Sequence, residues 1–176
     1  MAGRFAEISG SNATAALTLT FGLVLDAQKR GEPVGWATST ESSFYPPDVA
    51  QIGIDLAALV VVRVPTYDVI ARAGEKLLRS GGFGLVVLDL GLADLPTPLQ
   101  SRLTSLAHHH HSALVCLTEK DRKMFSLGSL VSLRVHAERN RVGNNEFTCD
   151  LHVLKDKRRG PTWTHEETRH GPPGLR

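Results

Sequence analysis

Residues 84–89, Gly-Leu-Val-Val-Leu-Asp, set four large apolar residues side by side between a glycine and an acid. A run this short, without polar alternation, suits a strand covered on both faces, as in a parallel sheet. Parallel strands need crossover connections, and the chain supplies helical patterns between its strand candidates. Strands are expected at Arg4–Ile8, Val34–Ser39, Val60–Val62, Gly84–Asp89 and Ser112–Thr118. Helices are expected at 13–30, Pro46–Ile52, Thr66–Ser80 and Pro96–His108, the first stopped by Gly31. Val131–Glu138 and Phe147–Asp156 then alternate in polarity around a Gly143-Asn144-Asn145 turn, with no helix between them. The expected fold is α/β, a mostly parallel sheet flanked by helices on both faces, with an antiparallel hairpin (131–156) at one edge.

At 176 residues, 41% apolar and 22% charged, the chain can bury a substantial core. The expected division is one core domain, 1–160, and a short edge strand near Trp163 with a flexible basic tail, 161–176. Two cysteines, Cys116 and Cys149, exclude a disulfide-stapled scaffold and a four-cysteine zinc site. The longest apolar run is about seven residues, against roughly 20 for a membrane-spanning helix. With no secretory pattern before Arg4, a cytoplasmic protein is expected. Charge is uneven: residues 1–119 hold 8 Lys and Arg against 11 Asp and Glu, residues 120–176 hold 12 against 7. The basic third is either a solvated face or a contact surface for nucleic acid or an acidic protein, so weak DNA contact is open.

The chemistry-bearing stretch is Ser9-Gly10-Ser11-Asn12-Ala13-Thr14-Ala15-Ala16-Leu17-Thr18, between the first strand and the first long helix. A loop there offers backbone N–H groups and a helix N-terminus to phosphate. A working phosphate loop reads G-x-x-x-x-G-K-[ST], with its lysine on the β/γ-phosphates. Here the first glycine is present, the second glycine and the lysine are missing, and the loop is about two residues short. Gly10, Asn12 and Thr14 are what remains of such a cradle. The apolar run ending in Asp89 has the form of a strand whose terminal acid orients a metal's water shell.

The segment Glu41-Ser42-Ser43-Phe44-Tyr45-Pro46-Pro47-Asp48-Val49-Ala50-Gln51-Ile52-Gly53-Ile54-Asp55 resembles the RecA recombinase pattern of an acidic turn, a Pro-containing helix and a Gly-Ile-Asp corner. Gly3-Arg4-Phe5-Ala6-Glu7-Ile8 is similar to that family's first core strand, and Val153-Leu154-Lys155-Asp156-Lys157-Arg158-Arg159-Gly160-Pro161 to a late strand and its turn. The resemblance implies a RecA-type ATPase core over nearly the whole chain. It puts Glu41 at the position of the water-activating glutamate, Asp89 at the metal-orienting acid and Phe44-Tyr45-Pro46 near the adenine turn. It puts Lys155 and Lys157 where the family reaches towards a neighbour's phosphates. Read without the resemblance, Glu41 is a helix-capping acid and the lysines an exposed strand face.

The departures carry as much as the matches. Leu90–His111 has room for one helix and short turns, and Glu119–Ser129 is about 11 residues long, so one family DNA loop is expected absent and the other truncated. With the core expected to begin at Arg4, the family's polymerisation helix is expected to be missing. Such erosion resembles the ImuA type of bacterial mutagenesis cassettes. That resemblance implies an accessory, non-enzymatic role in damage-induced (SOS) translesion synthesis, without ATP or magnesium. Its partners would be RecA, an ImuB-like protein or an error-prone polymerase subunit. Contact residues are expected in Lys120, Arg122 and Lys123 and in the strip Lys155, Lys157, Arg158 and Arg159. His108–His111 suit a helix C-terminus better than a metal site, Cys116 reads as a buried thiol, and Trp36 and Trp163 as core or edge anchors.

Overall fold

The computed structural model of the chain describes residues 3–11, 14–42, 44, 47–50, 52–143, 146–160 and 163–170. The strands are β1 (Phe5–Ser9), β2 (Val34–Ser39), β3 (Leu59–Val64), β4 (Leu85–Gly91), β5 (Ala113–Thr118), β6 (Leu133–Arg141), β7 (Glu146–Asp156) and β8 (Thr164–His170). The helices are α1 (Ala16–Lys29), α2 (Pro47–Ala50), α3 (Ile70–Arg79) and α4 (Thr97–His109). Among the described residues the strands form one sheet in the order β3-β2-β4-β5-β1-β6-β7-β8. The pairings from β3 through β6 are parallel, and β7 and β8 add antiparallel.

The apolar run behaves as its composition requires. On β4, Leu85 and Val87 pack with Val24 and Ala27 of α1, while Val86, Leu88 and Leu90 pack with Ile70 and Leu78 of α3 and Leu103 of α4. Both faces of the strand are therefore dry, and each such side chain contributes about 2 kcal/mol of burial free energy. Helix α1 stops where Gly31, at φ +76°, turns the chain left-handed and donates its N–H to Gln28 at 2.8 Å.

Element bounds differ from the sequence expectations in instructive places. The helix expected over Pro46–Ile52 is the single turn Pro47–Ala50, with Pro46 outside the described residues. The helix expected from Thr66 opens with a 3₁₀ turn at Tyr67–Val69. Where a short edge strand is expected near Trp163, β8 pairs outside the hairpin over seven residues, Thr164–His170. Its sequence, Thr-His-Glu-Glu-Thr-Arg-His, has no apolar alternation, so its length and register come from backbone pairing. A charged outer strand also resists edge-to-edge association. The expected tail from residue 171 lies outside the described residues.

Candidate functional site

The carboxyl ends of β1, β2, β4 and β5 open onto one cleft of about 300 Å³, lined among others by Gly10, Thr14, Glu41, Asp89 and Glu119. Open α/β sheets bind ligands at this end of their strands. The Asp89 carboxylate accepts the Thr38 hydroxyl at 2.7 Å and the Ser42 hydroxyl at 2.8 Å, which ties the ends of β2 and β4 together. Glu41 is exposed in the turn after β2, its N–H donating to the Ser39 hydroxyl at 2.9 Å. Because α2 begins only at Pro47, Glu41 caps no helix among the described residues. Glu41, Asp89 and Glu119 are all acids, and neither lysine nor arginine is found among the described lining residues.

At the start of α1 the loop is closed on itself. The Thr14 hydroxyl accepts the Ala16 N–H at 3.0 Å and donates to the Ala137 carbonyl at 3.1 Å. It thereby consumes a donor that a phosphate would use. Gly10 is required beside it: a Cβ at that position would stand 1.9 Å from Thr14 Oγ1 and 3.1 Å from the Ala137 carbonyl. Asn12 lies outside the described residues. Phe44 is buried with its ring tilted against Trp36 at a centroid distance of 4.5 Å, so it faces the core rather than the cleft; Tyr45 and Pro46 lie outside the described residues.

Beneath the cleft is a polar cluster that the sequence reading passed over. Glu7, in the middle of β1, is fully buried. Its carboxylate accepts the Thr118 hydroxyl at 3.1 Å, the Ser126 hydroxyl at 2.8 Å and the Leu127 N–H at 3.0 Å. Lys120 and Arg134 each place a nitrogen 3.9 Å from it. The available signal was a lone acid flanked by Phe5, Ala6 and Ile8, since a buried carboxylate is kept only where donors surround it. The partners come from the end of β5, the loop 119–132 and the start of β6, distant in sequence, and could not be read in advance.

This cluster redistributes the expected basic surface. Lys120 does not join an exposed patch: it is buried, 3.9 Å from Glu7 and 3.8 Å from Asp94, held by carboxylates on both sides. Arg122 and Lys123 are exposed, with Arg122 3.8 Å from Glu138. Lys155 donates to the Gly128 carbonyl at 3.0 Å and Lys157 to the Ser129 carbonyl at 2.6 Å, so both fasten the loop. Burial lowers the Lys155 pKa. Arg158 and Arg159 are exposed in the turn after β7.

His108 and His109 end α4, His110 caps it and His111 follows at φ +55°. Among the described residues no group of three His, Cys, Asp or Glu side chains is placed to hold a metal ion. Cys116 is fully buried, which pushes its thiol pKa well above the ordinary range. Trp36 is buried against Phe21 and Phe44, whereas Trp163 is 39% exposed beside β8. No described helix is long and apolar enough to cross a membrane.

A mostly parallel sheet flanked by helices, an antiparallel extension and a cleft at the strands' carboxyl ends make an α/β architecture consistent with a RecA-like core. The similarity extends to sequence. Protein RecA of Rickettsia massiliae (strain Mtu5) is 28% identical over 94 residues, covering 53% of this chain and 27% of that protein. Protein RecA of Chlorobium limicola is 31% identical over 94 residues with the same coverage, 53% and 27%. Protein RecA of Acholeplasma laidlawii is 26% identical over 162 residues, 87% of this chain and 48% of that protein. The chain thus spans between about a quarter and about half the length of these curated relatives. No protein-family model matches it.

Proposed function

We propose that this chain is a non-catalytic RecA-like accessory module of DNA-damage-induced mutagenesis, of the ImuA type, which binds a RecA protomer or a mutasome polymerase subunit. ImuB-like and error-prone polymerase subunits are the candidates for the latter. The observation that carries this reading is the charge of the cleft. Glu41 and Asp89 are acids that an ATPase core would also carry, but no lysine or arginine accompanies them and Glu119 among the described lining residues, and Thr14 has taken up the Ala16 N–H. A triphosphate needs cationic side chains and open N–H groups there. A RecA-shaped body that does not turn over ATP can still present RecA-like surfaces to proteins that recognise them. Arg122, Lys123, Arg158 and Arg159 are its exposed cations for acidic partners.

Two measurements test this. Titration calorimetry with ATP and Mg²⁺ gives no saturable heat, and immobilised chain captures purified RecA or a polymerase subunit. Saturable ATP binding with phosphate release would replace the reading by its rival, an ATPase with an atypical loop. That rival draws on the convergence of Glu41 and Asp89 on one cleft. Strongly salt-dependent capture of single-stranded DNA, with no protein partner bound, would favour a DNA-binding module instead.

A further inference from the structure

The Glu138 carboxylate on β6 is faced from three parts of the fold. Its Oε1 lies 3.8 Å from Arg122 Nη1 of the loop 119–132 and 3.4 Å from His136 Nε2 of its own strand. Its Oε2 lies 3.6 Å from His152 Nε2 of β7. The two imidazoles are cross-strand partners in the β6–β7 register, and Asp150 stands opposite Glu138, accepting the Asn140 amide at 2.7 Å. Beyond His152 the register brings Thr164 of β8, which carries no charge. Ser9 of β1 lies 3.3 Å from His136 Nδ1. The side chains of His136, His152 and Arg122 are 4%, 22% and 48% exposed, so the three groups that compete for one carboxylate differ sharply in their access to water.

Arginine is charged at every physiological pH, whereas imidazoles change charge between about pH 5 and 8. A proton on His136 puts a positive charge where water hardly reaches, and a buried charge persists only beside a partner. Glu138 favours that proton, while Arg122, Arg134 and His152 oppose it. Arg134 has no room to withdraw, because it donates to the carbonyls of Met124 and Asp121 and lies 3.9 Å from Glu7. Arg122 does: it is half in water, and an exposed pair at its distance is readily exchanged for solvent. Its departure leaves the course of the loop intact, since Lys120 stays between Glu7 and Asp94 and Asp121 accepts the Ser11 hydroxyl at 2.6 Å. Lys123, the next residue, is already exposed.

We infer that Glu138 is the hub of a proton-controlled clasp: with neutral imidazoles it retains Arg122, and when His136 and His152 charge it turns to them and frees Arg122, beside Lys123, for an anionic ligand. The coupling is reciprocal, so an anion that captures Arg122 raises the proton affinity of His136. The inference goes beyond the accessory-module reading and does not depend on it, since both states of the clasp belong to the chain alone. The test follows the imidazole nitrogen shifts and the Arg122 Nε–H signal of the full chain by nuclear magnetic resonance from pH 8 to 5. Arg122 is expected to be ordered at pH 8 and mobile at pH 5.5, and Glu138→Gln should leave it mobile at both. Arg122→Gln should raise the proton affinity of His136 about two- to fivefold, the range an exposed pair supports, and Glu138→Gln should lower it. Arg122→Lys, which keeps the charge, should restore the parent's titration. Inorganic tripolyphosphate should raise the affinity in the parent and not in Arg122→Gln, with thermal melts at pH 8 confirming that each variant is folded. A His136 titration indifferent to Arg122→Gln, or a His136 that stays neutral over the whole range, overturns the inference. An Arg122 signal equally ordered at pH 8 and 5.5 does the same, as does tripolyphosphate that moves the parent and Arg122→Gln alike.

Discussion

The carboxylate of Glu7 accepts the backbone N–H of Leu127 at 3.0 Å, so a strand at the centre of the sheet holds a loop 120 residues further along the chain. The same group serves Ser126 and Thr118 and faces Lys120 and Arg134. Replacing it leaves the donors of Thr118, Ser126 and Leu127 without this acceptor, and leaves Lys120 to Asp94 and Arg134 to the carbonyls of Met124 and Asp121. Glu7→Ala is expected to cost about 3–5 kcal/mol in urea denaturation. It should also raise hydrogen exchange at Leu127, and unchanged exchange there would show that the loop is held by other means.

Thr14 is expected to act as a structural plug rather than a ligand group. Thr14→Ala releases the Ala16 N–H and the Ala137 carbonyl and should cost about 1 kcal/mol, read by denaturant midpoint. Gly10→Ala should cost about 2 kcal/mol by crowding Thr14, and less than the sum of the two when combined with Thr14→Ala. Strict additivity would mean that the two residues do not share the space.

Asp89 ties β2 to β4 through Thr38 and Ser42. Asp89→Ala should lower stability by about 1–3 kcal/mol, because both hydroxyls lose a charged acceptor. Thr38→Val in the Asp89→Ala background should then cost little, a coupling that a double-mutant cycle measures. Equal cost of Thr38→Val in both backgrounds would dissociate the two residues.

His136 sits buried against Ser9, its pKa lowered by burial, with Glu138 opposing the shift and Arg122, Arg134 and His152 adding to it. The unfolded chain therefore takes up this proton first as pH falls. The stability contributed by neutral His136 is full above its ordinary value of about 6.5 and is lost as pH drops through the lowered folded value. His136→Gln should flatten the stability profile between about pH 7 and 5. Asp156 is shifted down by the Arg158 N–H and by Arg4, so its contribution persists above the ordinary carboxylate range and fades at lower pH, in a separable window. A His136→Gln profile with the parent's slope would remove His136 from the titration.

What the chain's own order of residues determined is the layered α/β body. Four adjacent apolar residues at 85–88 must be dry on both faces, and the helical periods between strands supply the two covers. The places of Glu41, Asp89 and Gly10 at strand ends followed from that order, which is why they share a cleft. Tertiary structure alone decided the charge surroundings. Lys120 and Arg122 are two positions apart, yet one turns to Glu7 and is buried while the other stays in water, because the acid that chooses between them comes from β1. The extent of β8 was less legible: a short strand is expected near Trp163, but its polar side chains carry no pattern, and backbone hydrogen bonds, which every residue can make, hold it to β7 as far as His170. Hydrophobic periodicity is local and can be read along the chain, whereas the partner of a buried charge is set by which segments the fold brings within a few ångströms.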